Sequence, residues 1–361
     1  MTGGHVILPG EIRTRAEIHA VFGGSPQRGI APSIEKRSVV LFSDPEEAAV
    51  RGYRDGWLAE EDVQGPIYEY TGAGSNGDQT FVGARGSGNR AVLRHSQQGR
   101  MLHLFVRAGK VPGSGTKTHR YVGMFTLDDE LPFVPRQGLD ENGKKRTTIV
   151  FRLRPYGQFE RSHTDVLTPA RHTTAEFVPR AVTIDMLQSA AVTKGTFVAP
   201  DLRSADTSAM LAAAAKGKLV QVNKVHTPEF PRSASAATTV RQRRALLIES
   251  YVAYLESQGH TVGSFQIKIK GKTSTLRTDL FDATDHVLYE AQGASDRDSV
   301  RLALGRLLDY RRYVRQCDRQ HAPDTVVLLP GRPDRDVEAL LKDHETSLVY
   351  RTKGGGFEKS L

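Results

Sequence analysis

The sequence predicts a two-domain protein of α+β / α/β class: a mostly antiparallel β-barrel or sandwich, then a mixed sheet flanked by helices. Three observations carry that expectation. The chain has 361 residues, enough for about two domains. Residues 1–157 are rich in short β-branched or aromatic runs broken by Gly, Pro, Asp and Asn. Residues 238–361 read as helix, three strands, helix, strand, helix, strand.

In the first region the expected strands are 38–42, 67–70, 102–106, 120–125 and 147–153. The cluster Asp140-Glu141-Asn142-Gly143-Lys144 reads as a hairpin, because Asn-Gly tolerates the positive φ of a type I′ turn. Residues 158–237 loosen into Ser, Thr, Ala and Pro, and read as a connector with one helix near 208–216. Beyond it, Leu247, Tyr251, Tyr254 and Leu255 fall at helical spacing before Gly259. Strands are expected at 262–269, 276–283 and 287–292, and a helix at 298–315. Thr325-Val326-Val327-Leu328-Leu329, closed by Pro330, has the uninterrupted apolar character of a strand buried on both faces. A helix near 334–341 and a strand near 347–350 complete the domain.

Composition narrows the function classes. Charged residues at 25% and hydrophobic residues at 38% describe an ordinary globular chain without a membrane-spanning run. The start, MTGGHVILPGEIRTR, lacks an apolar segment behind basic residues, so a cytoplasmic protein is expected. One cysteine, Cys317, excludes an internal disulfide and a Cys-rich zinc cluster, and reads as a helix-packing or surface thiol. Fifty Lys and Arg against 41 Asp and Glu give a net charge of +9, a field that attracts polyanions. His95, His103, His119 and His286 show neither H-x-x-x-H spacing nor a Cys partner, so no zinc site is expected. His286 reads as an exposed turn residue.

Gly72-Ala73-Gly74-Ser75-Asn76-Gly77 satisfies G-x-G-x-x-G, but no helix opens after it, so a dinucleotide site is rejected. A wider window is more informative. Gly52-Tyr53-Arg54-Asp55-Gly56-Trp57, Tyr68-Glu69-Tyr70-Thr71-Gly72-Ala73-Gly74, Gly77-Asp78-Gln79 and Gly88-Asn89-Arg90-Ala91-Val92-Leu93 follow one another in order. That succession resembles the SET-and-RING-associated (SRA) domain, an SRA/PUA-like β-barrel, over about residues 22–155. The segments 22–30 and 99–105 fit the bacterial versions found in modification-dependent restriction enzymes.

The resemblance implies a reader that extrudes one base into a pocket, where stacking and Watson–Crick-edge hydrogen bonds offset the lost stack. By family position Tyr53 and Tyr70 would sandwich the base, Asp55 would accept from a cytosine amino group, and Trp57 would line the pocket or act as a wedge. The same three rings also suit a barrel core. Asp78 beside Gly77 reads as a turn organiser. Arg51, Arg54, Arg85, Arg90 and Arg94 are the candidate phosphate contacts.

In the second region Asp279 and Glu290 lie eleven positions apart on neighbouring strands, so a hairpin can bring their carboxylates together. Two such groups form a hard-oxygen site for Mg²⁺ (or Mn²⁺). Asp279 with Glu290-Ala291-Gln292 and the surrounding element order resembles the PD-(D/E)xK nuclease superfamily over 238–350, with Gln292 where that family has lysine. The resemblance implies metal ligation by Asp279 and Glu290 and a possible further ligand at Glu249 in the preceding helix; a solvated helix face fits Glu249 equally. Arg297 and Arg301 open the next helix within reach of phosphate, whereas Asp309 and Tyr310 read as packing and salt-bridge residues.

The expected function is therefore a modification-dependent DNA endonuclease: residues 1–157 read a 5-methyl- or 5-hydroxymethylcytosine in double-stranded DNA, and residues 238–361 cut nearby, as a homodimer. Two alternatives stand beside it. One is a non-catalytic modified-DNA-binding protein with a degenerate nuclease domain; the other is an RNA-binding barrel of PUA type joined to an RNA-directed nuclease.

Overall fold

The computed structural model describes residues 6–45, 47, 53–62, 64–129, 131–140, 142–179, 234–317 and 322–360. Arg51, the helix expected near 208–216 and the Cys317 side chain lie outside the described residues. Two compact units are present, the first running to Thr168 and the second combining a segment from Pro169 with the C-terminal part.

The first unit is built from β1 (Ile12–Thr14), α1 (Arg15–Phe22), β2 (Ile30–Ser33), β3 (Ser38–Ser43), β4 (Gly56–Trp57), β5 (Tyr68–Thr71), α2 (Ser87–Leu93), β6 (Met101–Lys110), β7 (Lys117–Leu127), β8 (Phe133–Leu139) and β9 (Lys145–Phe159). Its sheet runs β2-β3-β6-β7-β9-β5-β4, with β1 on β7 and β8 on β9. Only the β3–β6 pair is parallel. Among the described residues the end strands β2 and β4 are not paired with each other, so the sheet does not close and the expected barrel is not confirmed. A physical reason lies in those ends: β2 carries Pro32, which donates nothing to a ladder, and β4 has only two residues.

Alternation along β3 explains the layers. Val39 and Leu41 enter the main core with Trp57, Tyr68, Phe125 and Phe151, while Val40 and Phe42 meet Ile18 and Phe22 of α1 on the other face. Helix α1 starts where the Thr14 side chain accepts from Glu17 N and the Glu17 side chain accepts from Thr14 N, a capping box that satisfies two backbone donors.

The second unit contains β10 (Thr174–Pro179), α3 (Ala234–Ser257), β11 (Val262–Lys268), β12 (Thr275–Arg277), β13 (Leu280–Asp282), β14 (Val287–Ala291), α4 (Arg297–Cys317), β15 (Asp324–Leu329), α5 (Arg335–Asp343), β16 (Thr346–Arg351) and β17 (Phe357–Ser360). Its order is β10-β11-β13-β14-β15-β16-β17, with β12 on β11. The central β14, β15 and β16 are parallel and the rest antiparallel. Leu247, Tyr251 and Leu255 of α3 cover one face over Tyr289 and Val326. Val300, Leu304 and Leu307 of α4, with Val337 and Leu341 of α5, cover the other over Leu288, Val327 and Leu348. Helices on both faces explain why Val326 to Leu329 of β15 form an uninterrupted apolar run. Both units are mixed sheets with helices, the two-domain α+β architecture expected.

Candidate functional sites

In the first unit the residues of the sequence motifs gather around one loop, 72–80. Asn89, fully buried on α2, accepts from Ala73 N at 2.7 Å and donates to Ala73 O at 3.1 Å and Thr80 O at 3.0 Å. Gln79 donates to Gly72 O at 2.6 Å and accepts from Ile149 N at 2.8 Å. Asp78 accepts from Thr147 N at 2.6 Å, the loop-organising role expected of it. Gly72 is required by close approach, because a Cβ there would stand 2.8 Å from Asn89 Oδ1.

Asp55 is half-buried beside this loop. Its Oδ1 accepts from Thr71 N at 2.8 Å and its Oδ2 from Ser43 Oγ at 3.2 Å, while Tyr68 donates to the same Ser43 at 2.9 Å. Burial pushes the Asp55 carboxyl up to about 6, against the opposing pull of those hydrogen bonds.

The aromatic residues divide. Tyr53 is half-buried, donates to Gly74 O at 2.7 Å, accepts from Arg146 and has that guanidinium 4.9 Å over its ring. Tyr70 is buried in the core, its hydroxyl donating to Gly29 O at 3.3 Å and Phe42 O at 3.4 Å. Trp57 is fully enclosed, with ring centroids 5.3 Å from Tyr68 and 5.8 Å from Phe125. It is a core ring rather than a pocket wall, because β4 pairs it with Tyr68 on the inward face of β5.

Several of the arginines expected to contact phosphate hold backbone carbonyls in this structure. Arg54 donates to Thr168 O, Arg85 to Asn76 O, and Arg90 to Phe81 O at 2.5 Å and Gly83 O at 2.7 Å. Arg94 is half-buried at the end of α2, with Nε lacking a partner among the described residues.

In the second unit the carboxylates do converge. Asp279 sits in the bend between β12 and β13, and the β13–β14 register, continued by one residue, sets it opposite Glu290. Asp279 Oδ2 accepts from Ala291 N at 2.9 Å, which ties the two strands at that level. Arg244 of α3 donates through Nη2 to both Asp279 oxygens, at 2.6 and 2.7 Å, and lies 3.4 Å from Glu290 Oε1. Arg306 of α4 donates to Glu290 Oε1 at 2.8 Å. Glu290 is 1% exposed, and burial together with Asp279 pushes its carboxyl above the usual carboxylate range, against the pull of Arg244 and Arg306.

Gln292 follows on the face of Glu290. It is buried, and its Nε2 lacks a partner among the described residues. Burial, with Glu290 as a lesser cause, lifts the Tyr310 hydroxyl to about 12, and the side chain packs against the core, the packing role expected of it. Glu249 is exposed on α3, five residues past Arg244 and so about 140° round the helix. Arg297 pairs with Asp336, Arg301 lies 3.5 Å from Asp298 and Arg312 2.6 Å from Asp309, all surface pairs.

The sequence reading missed Arg244, Arg306, Arg146 and Asn89 as site residues. Arg306 lies sixteen positions beyond Glu290, and only the β14–α4 packing brings them together. His286 differs from expectation: it is half-buried at φ 58°, its ring edge-on to Phe281 at 5.4 Å. His260, also missed, bonds Asp282 at 2.6 Å near Asp285. The Asp282 carboxylate also accepts from Thr284 N at 2.9 Å, so this group fixes the β13–β14 turn.

A single cation position shared by Asp279 and Glu290 is marked by Arg244 Nη2, so this donor set fits a divalent metal. No helix among the described residues is long and apolar enough to cross a membrane.

No curated protein matches the chain. Among solved structures, the type IV phosphorothioation-dependent restriction endonuclease ScoMcrA aligns at 24% identity over 43% of this chain and 29% of its own, with a TM-score of 0.30. The DNA modification-dependent restriction endonuclease AspBHI aligns at 13% identity over 98% of this chain and 91% of its own, TM-score 0.31. MspJI in complex with a 27-mer oligonucleotide aligns at 13% identity over 97% and 79%, TM-score 0.27. The chain spans less than half the length of the ScoMcrA chains it matches, 29% and 45%. The family model for the ScoMcrA-like SRA domain matches residues 9–170, and that N-terminal stretch is an SRA domain of this kind.

Proposed function

We propose that this protein is a modification-dependent DNA endonuclease. The SRA domain takes an extruded 5-methyl- or 5-hydroxymethylcytosine from double-stranded DNA, and the second unit hydrolyses a phosphodiester nearby. The observation that carries this reading is the convergence of Asp279 and Glu290 on one cation position in a chain whose other unit is an SRA domain.

In the reader, Asp55 accepts from the cytosine amino group, for which a half-buried carboxylate is suited. Tyr53, covered on one ring face by Arg146, offers its other face to the base. In the nuclease, Asp279 and Glu290 would hold Mg²⁺ or Mn²⁺, which supplies Lewis-acid polarisation of the phosphate and an acidified water. The buried Gln292 amide, whose Nε2 lacks a partner among the described residues, donates to the phosphate or to the attacking water. Cutting both strands takes two copies of this site, hence a homodimer on DNA.

Digestion of matched unmodified, methylated and hydroxymethylated duplexes with added Mg²⁺ or Mn²⁺ tests the reading. Metal-dependent cleavage confined to modified duplexes is expected; equal cleavage of all three removes the reader role. The placement of Arg244 on the cation position favours a second reading, a modified-DNA-binding protein that does not cut. Tight binding without nicking at any metal concentration would establish that one.

A further inference from the structure

Asp279 and Glu290 come from a bend and a strand, yet one nitrogen of Arg244 touches both. Arg244 Nε meanwhile donates to Ala291 O at 2.9 Å, which ties the guanidinium to the backbone between Glu290 and Gln292. The side chain is 33% exposed, so the guanidinium is not sealed inside the fold. Arg306 differs, since it meets Glu290 from the α4 side and gives no contact to Asp279 in its ion pairs. Gln292 brings no charge to the tripeptide.

We propose that Arg244 is a tethered cation: it neutralises the Asp279–Glu290 pair in the metal-free protein, yields that position to a divalent ion, and then faces the scissile phosphate. The proposal rests on the nuclease reading above. Two carboxylates this close repel unless a cation lies between them, and a guanidinium supplies one positive charge where a divalent ion supplies two. Arg244 therefore competes with the metal for one place. Pivoting about its Nε bond to Ala291, the displaced guanidinium stays beside the carboxylates and presents a planar fork suited to phosphate oxygens. It thereby supplies the positive charge that Gln292 lacks.

The test uses the full chain and two readouts. Calorimetric Mn²⁺ binding without DNA compares wild type with Arg244→Ala, Arg244→Gln, Arg244→Lys and Asp279→Ala. Single-turnover cleavage of pre-bound methylated duplex at saturating Mn²⁺ follows. Arg244→Ala is expected to bind Mn²⁺ about 10-fold tighter and to cleave about 100-fold more slowly, with Arg244→Lys regaining part of the rate. Arg244→Gln, similar in reach but uncharged, repeats both measurements should the alanine variant unfold. Unchanged or weaker Mn²⁺ binding by the alanine and glutamine variants overturns the competition, and cleavage within about 3-fold of wild type overturns the phosphate contact. Asp279→Ala separates the failures: if it binds Mn²⁺ like wild type, the metal site itself is wrong, whatever Arg244 does.

Discussion

Asp55 is held at both oxygens, by the Thr71 amide and the Ser43 hydroxyl, and burial still lifts its carboxyl to about 6. An acid raised above its unfolded value of about 3.9 costs stability when ionised; the cost is absent below that pH and complete above the folded value. Asp55→Asn should therefore unfold at higher urea than wild type at pH 7.5, with no such gain at pH 4. Recognition moves the opposite way. Asp55→Ala should lower the preference for modified over unmodified duplex by about 10-fold, the worth of one base-edge contact. In wild type the same preference should decline below about pH 6 as the carboxyl protonates. A binding series from pH 7.5 to 5.0 checks this, and a flat preference would count against Asp55 as the reader. The residue was legible in the sequence through the resemblance. Its hydrogen bonding was not, because that depends on Ser43, twelve positions away at the end of β3.

At the level of elements, the loop 72–80 is fixed from two sides, by Asn89 on α2 and by β9 through Asp78 and Gln79. Asn89→Ala would leave the Ala73 amide and two carbonyls without their partner, a loss of about 2–4 kcal/mol. Urea unfolding should show that loss, together with a weaker preference for modified DNA. Most strands and helices of the second unit were legible, since the helices repeat apolar residues at helical spacing; β17 was not, nor was β10, which lies in the segment expected to be a connector yet pairs with β11. Helix α2 was not. Ser87-Gly88-Asn89 reads as turn chemistry, and the helix forms because Ala91, Val92 and Leu93 are buried against the sheet. Helix α1 carried a readable signal in Thr14 and Glu17. Arg244 belongs to this scale as well: its basic surroundings in α3 look like a solvated face, and the close approach of α3 to Gly293, where a Cβ would meet Val240 O at 2.0 Å, is what brings it to the carboxylates.

Across the molecule, three histidines of the first unit are neutral by burial: His95 and His119 are lowered to about 4, His103 to about 3. Their unfolded value is about 6.5, so the stability they contribute is complete above that pH and is lost as pH falls toward about 4. Asp55 acts in the opposite sense between about 4 and 6, but one acid opposes three bases. The net expectation is acid destabilisation of the first unit, read as a falling urea midpoint between pH 7 and 4.5. With the charge of +9, the DNA binding proposed above should weaken steeply as salt is raised.

The central proposal is that a half-buried, hydrogen-bonded carboxylate in one unit selects the modified base while Asp279 and Glu290 in the other direct the cut. The most direct measurement sets wild type beside Asp279→Ala on methylated duplex with Mn²⁺, following binding and strand cleavage in the same samples. The account predicts equal binding by both proteins and cleavage by wild type alone, at least about 100-fold faster than the variant. Cleavage by Asp279→Ala at the wild-type rate would contradict it.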